Sequence, residues 1–281
     1  MAGKLILCAT PIGNLDDMTY RVINALKEAD LIAAEDTRNS IKLLNHFDIH
    51  TPMTAYHENN RFDKGRELVA KMAQGTTVAL ITDAGTPGIS DPGAELVQMA
   101  AEAGIEVTSL PGPAACITAL TLSALPTRRF CFEAFLPMEK KDRRRVLDEL
   151  TRETRTIVMY EAPHRLIRTL EELSEVLGGT RRISLCRELT KKHETVNRMT
   201  IDEAVRYFTE QAPRGEFVLV IEGKDPKEIQ KEQEDSWKEK TIEEHMAHYT
   251  DQGIDRKEAM KLVAKDRGCG KRDIYNYLVS H

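Results

Sequence analysis

TTVALITDAGTPGISDPGAELVQMAAEA (Thr76–Ala103) reads as three segments in succession. Thr76–Asp83 is a short apolar run with polar ends, the pattern of a buried strand. Asp83–Gly93 then concentrates three glycines, two prolines and two aspartates in eleven residues. Ala94–Ala103 returns to apolar residues at helical spacing. A strand, a loop rich in special residues and a helix form half of a βαβ unit, and an open parallel sheet binds its ligands past the C-terminal ends of its strands. A plain turn needs far fewer glycines and prolines, so this stretch predicts both an α/β fold and a ligand loop.

The same alternation extends in both directions. Upstream, Lys4–Thr10 is an apolar run that enters the loop Thr10–Asp17, and Met18–Ala29 places Met18, Val22, Ala25, Leu26 and Ala29 at helical spacing. Asp30–Asp36 is a further strand-like run, and Thr37–Phe47 a helix with Ile41, Leu44 and Phe47 on one stripe. Downstream, Ile105–Leu110 precedes Pro111-Gly112-Pro113. Continuous apolar strands between amphipathic helices predict a parallel sheet covered on both faces.

The pattern restarts after Pro126, with strands at Phe130–Leu136, Thr156–Glu161, Arg182–Glu188 and Phe217–Glu222. Helices are expected at Asp142–Glu153, Leu166–Leu177 and Ile201–Gln211. The expected division is an α/β lobe over 1–115, a second over 116–225, a charged solvated linker over 226–240 and a helix-turn-helix-like module over 241–281. Thr241 and the pair Asp255/Glu258 supply caps within that module.

Bulk properties narrow the function classes. The chain has 281 residues, 41% of them hydrophobic, and a formal net charge of −5. That charge argues against attachment to nucleic acid by bulk electrostatics but leaves local basic patches open. Lys140, Lys141, Arg143, Arg144 and Arg145 form one such patch, with Arg128-Arg129 upstream; it reads either as an RNA contact or as a solvated helix face. From Arg256 to His281 there are seven Lys/Arg against three Asp/Glu, a second basic surface that could dock RNA or support a dimer. Cys8, Cys116, Cys131, Cys186 and Cys269 include no CxxC pair, so no zinc site is expected, and Cys8, Cys131 and Cys186 lie in strand-like runs as buried thiols. No apolar stretch approaches the ~20 residues of a membrane span, and Met1–Ala9 is too short for a secretory signal; a cytoplasmic protein is expected.

Four loops carry candidate chemistry. Thr10–Asp17 lacks the G-x-G-x-x-G fingerprint of nicotinamide sites, and no Walker A lysine pattern occurs. In the second loop, Asp83 at a strand end can accept from hydroxyls or an amine. In the third, Pro111–Ala115, small side chains leave room for a flat ring beside a helix N-terminus. The fourth, Glu161-Ala162-Pro163-His164-Arg165, starts a helix and offers His164 and Arg165 to a phosphate or a substrate hydroxyl.

Taken together, ATPIGNLDD (Ala9–Asp17), AEDTR (Ala34–Arg38), DAGTPGISDPG (Asp83–Gly93), PGPAA (Pro111–Ala115), EAPHR (Glu161–Arg165) and RELTKKHE (Arg187–Glu194) resemble the tetrapyrrole methylase superfamily, the class III S-adenosylmethionine methyltransferases. AEDTR and EAPHR resemble its ribosomal RNA branch, which methylates a cytidine 2′-hydroxyl in 16S rRNA. Gly85-Thr86-Pro87 departs from the Gly-Asp-Pro common in the tetrapyrrole and diphthine branches. The resemblance implies two αβα lobes with mostly parallel sheets, S-adenosylmethionine in the cleft between them, a homodimer, and 16S rRNA or the small ribosomal subunit as partner. It carries donor contacts to Pro11, Asp83, Gly85, Thr86, Ile89, Ala114 and Ala115, and from the second lobe to Tyr160, Ala162 and Leu189. Methyl transfer to a ribose hydroxyl benefits from a base or an alkoxide-stabilising cation. Candidates are Glu35-Asp36 with Arg38, His57-Glu58, His164-Arg165, and Glu188 with Lys191. A tetrapyrrole C-methyltransferase and a non-enzymatic RNA-binding protein remain alternatives.

Overall fold

The structure, a computed structural model, describes residues 3–238 and 240–280. The first lobe runs β1 (Lys4–Cys8), α1 (Tyr20–Glu28), β2 (Leu31–Ala34), α2 (Thr37–His46), β3 (Met53–Ala55), α3 (Arg61–Ala73), β4 (Val78–Ile81), α4 (Gly93–Glu102) and β5 (Glu106–Leu110). Its strands lie in the order β3-β2-β4-β1-β5, and every pairing is parallel. The period-2 alternation of a strand explains why both faces are covered. Ile6 and Cys8 of β1 join a cluster with Val22, Leu26 and Leu44, whereas Leu5 and Leu7 join Leu68, Met72 and Leu96 on the opposite face. Ile41, expected on the buried stripe of α2, is 44% exposed, while Leu44 is buried.

The second lobe comprises α5 (Ala115–Leu122), β6 (Phe130–Phe135), α6 (Lys140–Leu150), β7 (Thr156–Glu161), α7 (Pro163–Leu177), β8 (Arg182–Arg187), β9 (Thr195–Thr200), α8 (Ile201–Glu210) and β10 (Phe217–Ile221). Its order is β6-β7-β10-β8-β9. Only β6 and β7 pair in parallel here; β10 runs antiparallel to β7 and β8, and β8 to β9. Parallel pairings still predominate over the two sheets together. α3 and the edge strand β9 lie outside the sequence expectations. The latter alternates polar and apolar residues too weakly to stand out from a loop.

β6 carries a bulge. Phe132 pairs with Val158 and Ala134 with Met159, leaving Glu133 as the extra residue, and Ala134 takes a φ of 51°. An extra residue turns every later side chain to the other face of the sheet. Phe135 therefore faces the same side as Phe132, and both rings contact Tyr160, with centroids 5.5 and 5.0 Å away.

Residues 226–240, expected as a solvated linker, are mostly a helix, α9 (Pro226–Lys238). Proline is well placed at the start of a helix, the Asp225 carboxylate accepts from the Lys227 N–H at 2.8 Å, and Lys, Glu and Gln are good helix formers. Trp237 also gives the segment something to pack on. Its ring stacks on His245 with centroids 3.6 Å apart. α10 (Ile242–Thr250), α11 (Arg256–Asp266) and α12 (Lys271–Ser280) follow, with their own small core of Met246, Ala259, Val263, Ala264 and Ile274. His245 is fully buried there; its Nε2 lies 3.2 Å from Asp266, and Arg267 Nε donates to its Nδ1 at 3.1 Å. All five cysteines are free, with Cys131 half-buried rather than buried and Cys269 exposed. No described helix is long and apolar enough to cross a membrane.

Candidate active site

The ends of β1, β4 and β5 bring three of the candidate loops together. Thr10 and Gly85 exchange backbone hydrogen bonds of 2.9 and 3.1 Å, tying the first loop to the second. Thr86 Oγ1 donates to the Pro113 carbonyl at 2.9 Å, tying the second to the third. Gly85 has a φ of +87°, which a side chain rarely adopts. At Gly112 an added Cβ would come within 2.6 Å of the Ala9 side chain, so only a glycine lets the third loop pass the end of β1.

Asp91 holds the second loop in shape. Its carboxylate accepts from the backbone N–H groups of Gly88 (2.9 Å), Ile89 (3.2 Å) and Gly93 (2.7 Å). Burial nonetheless raises its pKa above the ordinary carboxylate value.

These loops face β6, β7 and β10 of the second lobe across a cavity of about 520 Å³. Pockets of this size suit a small-molecule cofactor. The walls are largely apolar, with Ile12, Ala114, Ala115 and Cys116 on one side and Phe135, Tyr160, Ala162 and Val218 on the other. Glu35 and Asp83 make one part of the lining acidic. Glu35 Oε2 accepts from Thr82 Oγ1 at 2.6 Å, and Asp83 Oδ1 accepts from the Asp36 N–H at 3.2 Å. Burial first, and then the neighbouring charge of Glu35, raises the Asp83 pKa. Such a wall favours a ligand cation. A larger depression of about 770 Å³ over α6 is a shallow surface formed by the charged side chains of that helix and the turn after it, and encloses nothing.

The sequence matches the family described as Tetrapyrrole (Corrin/Porphyrin) Methylases over residues 4–205. The chain belongs to this family. Like the family's other members, this methylase takes S-adenosylmethionine as its methyl donor. It is 50% identical to ribosomal RNA small subunit methyltransferase I of Halalkalibacterium halodurans, over 98% of this chain and 94% of the relative. It is 45% identical to the Bacillus subtilis protein of that name, over 98% and 93%. Among solved structures the methylase fold resembles diphthine synthase, with a TM-score of 0.64 at 13% identity, covering 79% of this chain and 90% of that one. It also resembles uroporphyrin-III-C-methyltransferase from Thermus thermophilus, at 0.54 and 20%, covering 78% and 94%.

Within the methylase cleft lie Asp83, Gly85, Thr86 and Ile89 of the second loop, Ala114 and Ala115 of the third, and Tyr160 and Ala162 of the second lobe. Pro11 and Leu189 are not part of the lining. Ile12 takes the place expected for Pro11, and Leu189 is buried in the apolar cluster between the lobes. Phe135, Glu216 and Phe217 line the cleft outside the candidate loops, and Glu161, which opens the fourth loop, lines it as well. Glu161 closes β7 and Phe217 opens the antiparallel β10, so both lie at the cleft end of the sheet, although both side chains are buried. The turn of Phe135 depends on a bulge that leaves no local signature.

The proposed bases separate clearly. Asp36 caps α2 and pairs with Arg38 at 2.8 Å, and the Arg38 hydrogen bonds lower its pKa to about 2, which makes it a poor proton acceptor. Arg38 points to solvent, 88% exposed. Glu58 is paired with Arg61, and His57 and Glu58 lie outside the cleft lining. His164 is exposed on α7 and also lies outside it. Lys191 bridges Glu188 (3.0 Å) and Glu216 (2.8 Å), so that pair reaches the cleft only through Glu216. Glu35 lines the cleft directly. Arg165 borders it, with Nε 3.0 Å from Glu161 Oε1. Among the described residues no group of three or more His, Cys, Asp or Glu could hold a metal.

The basic run on α6 is largely neutralised. Arg143, expected to contact RNA, is buried, donating to Glu172 at 2.6 Å and to Thr169 at 2.8 Å. Arg143 is in phase with Leu147 and Leu150 on the buried side of α6, and its charge is compensated there. Arg144 pairs with Asp148 and Arg145 with Asp142. Lys140 and Lys141 remain exposed without a described ion pair.

Proposed function

We propose that this methylase transfers a methyl group from S-adenosylmethionine to the 2′-hydroxyl of a cytidine in small-subunit (16S) ribosomal RNA. The observation that carries this reading is the near end-to-end likeness to relatives named for that RNA. The uroporphyrin-III and diphthine enzymes named above share its fold at 20% and 13% identity, and this chain has Gly85-Thr86-Pro87 in the donor loop.

The cleft fits the donor. Its volume suits a nucleoside-sized molecule, the apolar wall of Ile12, Ala114 and Ala115 fits an adenine ring, and Glu35 and Asp83 fit cationic groups. When bound, the donor supplies an electrophilic methyl carbon, and the protein's part is positioning. Glu35 is the acceptor within the cleft for the hydroxyl proton, and Arg165 at its border offers a cation to the RNA strand. Lys140 and Lys141 supply phosphate contacts. A homodimer accords with α5, an apolar helix that leaves Ile117 45% exposed.

Mapping 2′-O-methylation on small-subunit rRNA with and without the protein tests the activity; an unchanged map refutes it. The donor site has its own test. Asp83→Asn is expected to weaken donor binding about tenfold, the order of a charge-assisted contact. Only the ionised carboxylate attracts a cation, and the Asp83 pKa is raised, so wild-type donor affinity should fall on acidification while still above the usual carboxylate range. Calorimetry across pH should show that slope flattened in Asp83→Asn.

A further inference from the structure

Phe135 is placed against the ordinary logic of a strand. Without the bulge at Glu133 it would share the face of Cys131, which packs against the core on the far side of the sheet. The bulge instead turns it into the cleft and leaves it 49% exposed. The turn requires a positive φ at Ala134, uncommon for a residue with a Cβ. A fold that needed only stability would bury this ring.

The surroundings of the ring are also built. The Arg165 guanidinium carbon lies 5.6 Å from its centroid. Nε of that arginine lies 3.0 Å from Glu161 Oε1 as an ion pair without hydrogen-bond geometry, and Nη1 contacts the Met138 sulfur at 2.7 Å, so neither contact uses Nη2. Glu161 is itself fixed, accepting from Thr169 Oγ1 at 2.5 Å. Met138 is 78% exposed. An exposed aromatic, a polarisable thioether and an oriented guanidinium therefore meet at the edge of the donor cleft.

We propose that Phe135, Met138 and Arg165 form the seat of the acceptor nucleoside. The target base, splayed out of its RNA helix, stacks on the open face of Phe135, and Arg165 contacts a phosphate of the same strand. The inference rests on the RNA methyltransferase reading above. Sequence-specific RNA recognition mostly targets nucleotides splayed out of single-stranded segments, and protein aromatics are the usual platform for unstacked RNA bases. Arginine planes and phosphate forks serve the same strands.

The experiment uses small ribosomal subunits from cells lacking this methyltransferase, labelled donor and the full chain. Phe135→Leu keeps an apolar side chain but removes the π-face; Phe135→Tyr restores it. Phe135→Leu should raise KM for subunits about tenfold or more, the scale of a lost base stack, with donor affinity by calorimetry and melting temperature unchanged. Phe135→Tyr should return KM to within about twofold of wild type. Unchanged KM and kcat in Phe135→Leu would overturn the seat, as would a loss of donor affinity, which would make the ring a donor wall. A shift from dimer to monomer without a change in KM would make it an interface between copies and overturn it equally. If the wild-type protein methylates no subunit RNA, it is the RNA methyltransferase reading that fails; if it does, only the seat is at stake.

Discussion

Asp91→Ala should lower the melting temperature by roughly 5–10 °C and reduce donor affinity by about a hundredfold or more. One carboxylate accepts from three backbone N–H groups of the loop between β4 and α4. Its removal leaves those donors without their partner in a partly buried turn, and each orphaned donor costs about 1–3 kcal/mol. Gly88, at a φ of 84°, then loses its partner directly, and Ser90, at 63°, loses the anchor of its neighbour Ile89. Gly85, Thr86 and Ile89 belong to the same loop, so the cleft wall loosens with it. Asp91→Asn keeps an acceptor oxygen and should recover part of both effects. Thermal unfolding and calorimetry with the donor check the pair; an Asp91→Ala protein with wild-type donor affinity would show that the loop keeps its shape without the carboxylate.

The second large effect falls on α6. Arg143→Glu should cost about 3–5 kcal/mol, enough to abolish soluble folded protein in a marginally stable chain. The substitution places a second carboxylate beside Glu172 in a site where the arginine side chain is only 7% exposed, and removes the donor to Thr169. Through Thr169 the change reaches Glu161, and through Glu161 the arginine at the cleft edge. Lys140→Glu and Lys141→Glu, on the same helix, should leave the melting temperature within about 1–2 °C of wild type and reduce the salt dependence of RNA binding. Circular dichroism melts separate the two classes before any RNA experiment is attempted.

The contrast between Arg143 and its neighbours shows where sequence reading runs out. Five basic residues within six positions announce a patch, but not which of them turn inward. The spacing Arg143, Leu147, Leu150 contained that signal, because residues four and seven apart share a helix face. The loops were more legible. Their glycines and prolines perform backbone tasks that few residue types can perform, so Asp83–Gly93 and Pro111–Ala115 mark the cleft in the sequence itself. The sequence does not tell Ile12 from Pro11, because which of two adjacent residues faces the cleft depends on which way the loop turns. β10 read as a plain buried strand, and its antiparallel direction was hidden, since a continuous apolar run looks alike in either orientation. The direction of Phe135 depends on register between two strands, a non-local property. α9 shows the reverse failure: high charge suggested a solvated linker, whereas Ile229 and Trp237, eight residues apart, fall on one helix face.

The packing of that helix gives the protein a built-in optical gauge. Trp237 is the chain's one tryptophan, and it lies flat against the buried imidazole of His245. Arg267 donates to Nδ1 of that imidazole, so the ring must be neutral, with its proton on Nε2 toward Asp266, and burial lowers its pKa. Protonation therefore has to displace Arg267, which also donates to the carbonyls of Lys240 and Thr241 where α9 meets α10. Indole emission thus reads out the seating of α9 on the C-terminal helices, and nothing else in the chain contributes to that signal. When RNA is titrated in, a steady emission would mean that the tail rides rigidly through the encounter, and a change would time its release.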